Sequence, residues 1–154
     1  MRPFALILAA AFLVSCSDTP KAAEPKAVKK AARPTDETRR FPMDGRENVE
    51  IIEDHILGMD FLPGGNLATY KIGGKTWREF VIKAESPDQT ALLVGACKDH
   101  MKDPKFLAHM GGYAGSDGQQ ILYVFPKGRW VAGVVGLPVA EADPYARMLA
   151  QRLD

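Results

Sequence analysis

The sequence predicts an α+β domain in which tandem ββα units form an antiparallel four-stranded sheet with two helices packed on one face. Three observations carry this expectation. Two tight-turn signals, Gly73-Gly74 and Pro126-Lys127-Gly128, each lie between runs of aromatic and β-branched residues, the composition of hairpin strands. A segment with helix-start chemistry follows each hairpin. Displacing the chain by 53 residues sets Gly65 on Gly118, Tyr70 on Tyr123, Trp77 on Trp130 and Val81 on Val134. The repeated order strand, strand, helix therefore reads as an internal duplication of about 64–102 and 117–154. One such unit would leave a sheet face bare, whereas two can share a core.

Taken in order, Asp44 and Glu47 have capping-box spacing, and Val49, Ile52 and Ile56 follow at helical intervals. This predicts a short helix ending at Gly58, although Ile51-Ile52 suit a strand equally well. Pro63-Gly64-Gly65 reads as a turn. Ala68, Tyr70 and Ile72 alternate with Thr69 and Lys71 as in a half-buried strand, and Trp77 to Lys83 is its return partner. Ser86-Pro87-Asp88-Gln89 opens a helix, with Ser86 as cap, Pro87 in the first helical position and Gln89 completing the box. That helix stops near Asp103, because Pro104 disfavours helix in the residue before it. Leu93, Ala96, Cys97, His100 and Met101 share its apolar face. Gly111 to Gly118 reads as a glycine-rich loop. Gln120 to Phe125 and Arg129 to Val135 form the second hairpin, and Asp143-Pro144 starts a last helix with Tyr145, Met148, Leu149 and Leu153 inward.

The N-terminus has a different character. Phe4 to Val14 is an apolar run of eleven residues after Arg2, too short to span a bilayer, which takes about 20, but right for the core of a secretory signal. Leu13-Val14-Ser15-Cys16 resembles the lipobox of bacterial lipoproteins. That resemblance implies a signal peptide over residues 1–15 and acylation of Cys16, with chains such as palmitate, as the first residue of the mature protein. It also implies a membrane-anchored place in the cell envelope facing the periplasm or the surface. Ser17 stands where an aspartate would favour the inner membrane, so the outer membrane is expected. Two or three acyl chains make an effectively permanent anchor, where one alone binds only marginally.

Residues 16–40 then read as a tether. Over residues 17–40 there is no aromatic residue, one Val, and seven basic against four acidic side chains, a composition too polar to offset the entropy of ordering. Residues 41–154 carry twelve basic and fifteen acidic residues and are long enough for one domain with its own core. A slightly acidic domain in that compartment gives no support to nucleic-acid binding. His109 to Tyr113, Phe125 to Gly128 and Gly133 to Leu137 look similar to small, uncharacterised bacterial secreted and lipoprotein domains. This implies a class and no chemistry.

Two clusters are candidate sites. Cys97, His100, His109 and Met110 gather soft ligands within residues 97–110, and C-x-x-H spacing on one helix face could place sulfur and imidazole on one copper or zinc ion. Against this, Cys97 lies mid-stripe on the apolar face, where a free thiol behaves as a small hydrophobe, and His100 lies where the helix C-terminus favours a cation. The glycine loop lacks the Gly-Lys-Ser/Thr ending of a phosphate-binding loop, yet Tyr113, Ser116 and Asp117 would line it as binding residues. No serine elbow is present, and Glu79 with Asp117 could face each other across strands without any mark of a working pair. The expected function is a lipid-anchored, non-enzymatic accessory or binding domain docking a protein partner or ligand. The alternative is a copper- or zinc-binding lipoprotein.

Overall fold

The computed structural model describes residues 33–154. The signal peptide, Cys16 and most of the expected tether lie outside the described residues. The chain is built as β1 (Arg46–Asp54), β2 (Pro63–Ile72), β3 (Lys75–Lys83), α1 (Pro87–Asp99), β4 (Lys102–Leu107), β5 (Gly112–Ser116), β6 (Ile121–Lys127), β7 (Trp130–Val135) and α2 (Val139–Ala150). The expectation of four strands is overturned. All seven strands form one antiparallel sheet in the order β1-β2-β3-β7-β6-β5-β4.

The helices do not share a face either. On β3 and β7, alternate side chains point to opposite sides. Trp77, Val81, Trp130, Ala132 and Val134 join Tyr70, Tyr123 and Phe125 in one core, which α2 covers with Ala142, Ala146 and Leu149. Phe80, Ile82, Val131 and Val135 join Leu67, Leu122 and Val124 in a second core, covered by Val94 and Cys97 of α1 and by Met101. The protein is a three-layer α/β/α sandwich. This burial on both faces is why β7 is buried at every position, a pattern that shows no alternation in the sequence. Aligning the hairpin turns, which close on Ile72–Lys75 and Lys127–Trp130, sets Lys75 rather than Trp77 on Trp130.

The additional strands come from segments with misleading local signals. In β1, Val49 packs toward the α2 core and Ile52 toward the α1 core. Their spacing of three suits a helix, but in an edge strand it places one residue on each face. α1 ends at Asp99 rather than near Asp103, and the chain passes almost directly into β4, where Asp103 has φ 49° and the register is irregular between Lys102 and Lys105. Gly112 belongs to β5 and not to a loop: a Cβ there would lie 2.0 Å from the Val124 carbonyl oxygen, so β5 reaches β6 only because the side chain is absent.

α1 starts as the sequence implies. Ser86 Oγ accepts from the Gln89 N–H at 3.1 Å, and the Gln89 side chain reaches back to the Glu85 N–H. α2 starts at Val139, four residues before the expected Asp143. Pro144 therefore sits inside the helix, and Asp143 occupies its second turn instead of its cap.

Residues 33–40, which composition assigns to the tether, pack on the sheet. Asn66 is buried and holds them from both sides, accepting from the Glu37 N–H and donating to the Thr35 carbonyl. Glu37 is itself buried and pairs with Arg40 at 2.7 Å. The Arg40 guanidinium stacks 4.3 Å over the Trp130 ring. Among the described residues no helix is long and apolar enough to cross a membrane.

Candidate functional site

The four soft ligands expected in residues 97–110 are not brought together. Cys97 is fully buried in the α1 core, and burial pushes its thiol up to about 12, so it stays protonated and a poor ligand at neutral pH. His100 caps the end of α1, with its ring stacked 3.9 Å from that of Phe61 and Nδ1 on the Ala96 carbonyl. His109 lies in the β4–β5 turn and engages α2, and Met110 packs against the α2 core. Among the described residues no group of three or more His, Cys, Asp or Glu side chains could hold a metal ion.

The expected binding loop is also dispersed. Tyr113 lies in β5 on the α1 side, tilted against Phe106 with ring centroids 5.4 Å apart. Ser116 accepts from the Gly118 N–H, and Asp117 accepts from the Gln119 and Gln120 N–H groups, each at 2.8 Å. Ser116 and Asp117 therefore organise the β5–β6 turn. Asp117 is not opposite Glu79, whose strand neighbours are Ala68 and Val134.

What the fold does assemble lies on the α2 side. The first feature is a clamp. Asp143, one turn into α2, receives the Tyr123 hydroxyl at 2.6 Å and Arg147 Nε at 2.7 Å, and its Oδ1 also contacts His109 Nε2. The Tyr123 donor, with Arg147 and His109 beside it, holds the Asp143 carboxyl well below the usual range against the opposing effect of burial. Tyr123 moves the other way, raised by burial and by Asp143, so its hydroxyl stays a donor and cannot serve as a nucleophile near neutral pH. The clamp ties α2 to β6 and to the β4–β5 turn.

Asp143→Ala takes the short, charged partner from the Tyr123 hydroxyl, leaving it only His109 Nε2 at 3.3 Å, and is expected to cost about 2 kcal/mol in urea unfolding at pH 7, in the range for losing a hydrogen bond to a charged group. Because the Asp143 pKa is lowered on folding, its contribution is present above the ordinary carboxylate value and is lost as pH falls below it. The gap between wild type and variant should therefore close toward pH 2.

The second feature is a groove of about 520 Å³ between α2 and the β2–β3 hairpin, lined by Ile72, Lys75, Trp77, Leu137, Pro144 and Tyr145 among others. Tyr70, Trp77 and Tyr145 form a ladder of rings: Tyr70 and Trp77 stack at 5.2 Å, and Trp77 and Tyr145 lie 4.5 Å apart. Its charged residues, Lys75 and Glu141, pair with each other at 2.6 Å. Ile72 and Met148 are exposed large apolar side chains, Met148 lying three residues beyond Tyr145 on α2.

Beneath Trp77 lies Glu79, fully buried. Its Oε1 accepts from Trp77 Nε1 at 3.3 Å, and among the described residues its Oε2 has no hydrogen-bond partner. Burial raises this carboxyl to about 7, against the opposing influence of Trp77, Tyr70 and the Arg152 charge. The sequence does carry a trace of it, an acid between Trp77 and Val81 on an inward-facing register, but nothing local says that this face would be closed.

No protein-family model matches the chain, and neither a curated protein nor a solved structure matches it.

Proposed function

We propose that this protein is a lipid-anchored, non-enzymatic binding domain of the bacterial envelope, held at the outer membrane through Cys16, that docks a protein partner in the groove of Trp77, Leu137, Pro144 and Tyr145. The single observation that carries the docking surface is that this apolar groove opens on the exposed Ile72 in its wall, with the exposed Met148 three residues on from Tyr145 along α2. Apolar surface that remains open on a folded domain marks interaction sites. The occupant follows from charge. Lys75 and Glu141 neutralise each other, so the groove presents aromatic and aliphatic walls with no free charge for an anion or cation, which suits an apolar side chain of a protein segment. The anchor is supported by the lipobox-like Leu13-Val14-Ser15-Cys16.

Two measurements test the two halves separately. Metabolic labelling with an alkyne fatty acid is expected to mark the full chain, and Cys16→Ser is expected to abolish the label and membrane sedimentation together. A labelled Cys16→Ser chain removes the anchor from the reading. For the groove, a photo-crosslinking amino acid replaces Met148 in cells and, as a control on the other helix, the exposed Leu92. A discrete protein adduct from position 148, absent from position 92 and reduced at least about tenfold by Tyr145→Ala, is the expected result, since truncating a central aromatic anchor commonly costs 2 kcal/mol or more. Equal adducts from both positions, or none, reject the docking surface.

A further inference from the structure

Glu79 occupies a place where a carboxyl has little to stabilise its charge. Its own strand gives Trp77 and Val81, β2 gives Ala68 directly opposite with Tyr70 beside it, and β7 gives Val134. α2 covers this face with Ala142, Ala146 and Leu149, and its titratable side chains there are Tyr145 against Trp77 and Asp143 on Tyr123, which is one strand beyond Val134. Tyr70 donates its hydroxyl to the Pro42 carbonyl. Among the described residues the cation acting on Glu79 is Arg152, just past the end of α2, while Arg46 and Arg152 act on Tyr70. One carboxylate oxygen accepts weakly from Trp77, and the Tyr70 hydroxyl lies close enough to favour the charge but spends its proton on Pro42, so that among the described residues the other oxygen has no donor. A buried polar atom left unpaired in this way calls for an explanation.

We propose that Glu79 is a proton-operated switch for the groove between α2 and the β2–β3 hairpin, acting through Trp77, whose indole N–H it holds and whose ring forms the groove wall. With its proton, the side chain is neutral and α2 seats on a dry layer. When the proton leaves to solvent, the bare carboxylate has to be met by water or by Arg152. Either requires the C-terminal end of α2 to shift, and Trp77 moves with the carboxyl it contacts. The segment after α2 is tied down by Trp130 Nε1 on the Asp154 carbonyl, Arg40 on the Arg152 carbonyl, the N–H groups of Arg152 and Leu153 on the last turn of α2, and the buried Leu153 side chain, so the shift is a movement of this end of α2 together with its tail. Alkaline conditions then open or reshape the groove and acid closes it. Its role in partner control rests on the groove being the docking surface; the switch itself does not.

The test uses the full chain in detergent with Trp130→Phe, which leaves Trp77 as the single tryptophan. Its emission is expected to shift reversibly between pH 5 and 9 with a midpoint near neutrality, to lose that transition in Glu79→Gln, and to move its midpoint to higher pH in Arg152→Ala. Emission constant over this range, or a transition that survives Glu79→Gln, overturns the proposal. Should Trp130→Phe not fold, amide exchange of Ala142–Leu149 in the otherwise wild-type chain, corrected for intrinsic pH dependence, reads the same event, and protection unchanged from pH 5 to 9 overturns it. Because fluorescence and exchange need no partner, failure here and failure of the crosslinking at Met148 are separable.

Discussion

Gly133→Ala is expected to destabilise the protein by about 3 kcal/mol or more, at the upper end for overpacking a core position. Gly133 lies in β7 between β3 and β6, the middle of the sheet, paired with Phe80 on one side and Val124 on the other. A Cβ there would stand 2.2 Å from the Tyr123 carbonyl oxygen and 2.6 Å from the Phe80 ring. The ring can be trimmed; the carbonyl belongs to the neighbouring strand and moves only if the ladder moves. Urea unfolding of Gly133→Ala, of Phe80→Leu and of the double variant separates the two contributions. The double variant should recover part of the loss attributable to the ring and retain the part due to the carbonyl. A Gly133→Ala protein within 1 kcal/mol of wild type would show that β6 and β7 adjust freely, which the packing described here does not allow.

The other large effect is the pH dependence set by Glu79. Its carboxyl is raised on folding to about 7 from the ordinary 4.5. A group whose proton is held more tightly in the folded state favours folding fully below the unfolded value, and the benefit is lost as pH rises through the folded one. Stability is therefore expected to fall between about pH 4.5 and pH 8, by roughly 3 kcal/mol at the conversion of 1.36 kcal/mol per unit. Glu79→Gln cannot ionise and should show a flat profile over that interval from this source. The variant should be the more stable protein at pH 8, by about 2 kcal/mol after some loss to the mismatched amide, and the two should converge near pH 5. Parallel profiles for wild type and variant would mean that the proton is not held where this geometry places it. The trend is opposite to that of Asp143, whose contribution disappears on acidification, so the double variant with Asp143→Ala offers an internal control.

The local elements were legible where the chain announces them by neighbouring residues. Ser86 to Gln89 prescribes the start of α1, and Gly73-Gly74 prescribes the first hairpin. The segments misread share a cause. Val49 and Ile52 are spaced like a helix but serve opposite layers, and Gly112 looks like a loop residue but is the small contact point between two strands. In both cases the deciding neighbour is far along the chain: Ala68 for Val49, and Val124 for Gly112. The candidate sites were obscured for the same reason. Cys97, His100, His109 and Met110 are close in sequence and divided by the sheet, whereas His109, Tyr123, Asp143 and Arg147 are spread over 39 positions and converge.

By itself the sequence determined the antiparallel hairpins, the capped first helix, the apolar faces that had to be covered, and the lipobox-like start. Those depend on the backbone preferences and spacing of residues within a few positions of one another. Only the tertiary structure decided that the sheet has seven strands, that the helices cover opposite faces, that Glu79 is sealed beneath Trp77, and that Asp143 receives Tyr123. These outcomes depend on which distant strands pair and which helix closes which face. That choice is settled by burying both faces of one sheet at once, a condition that no short stretch of the chain can express.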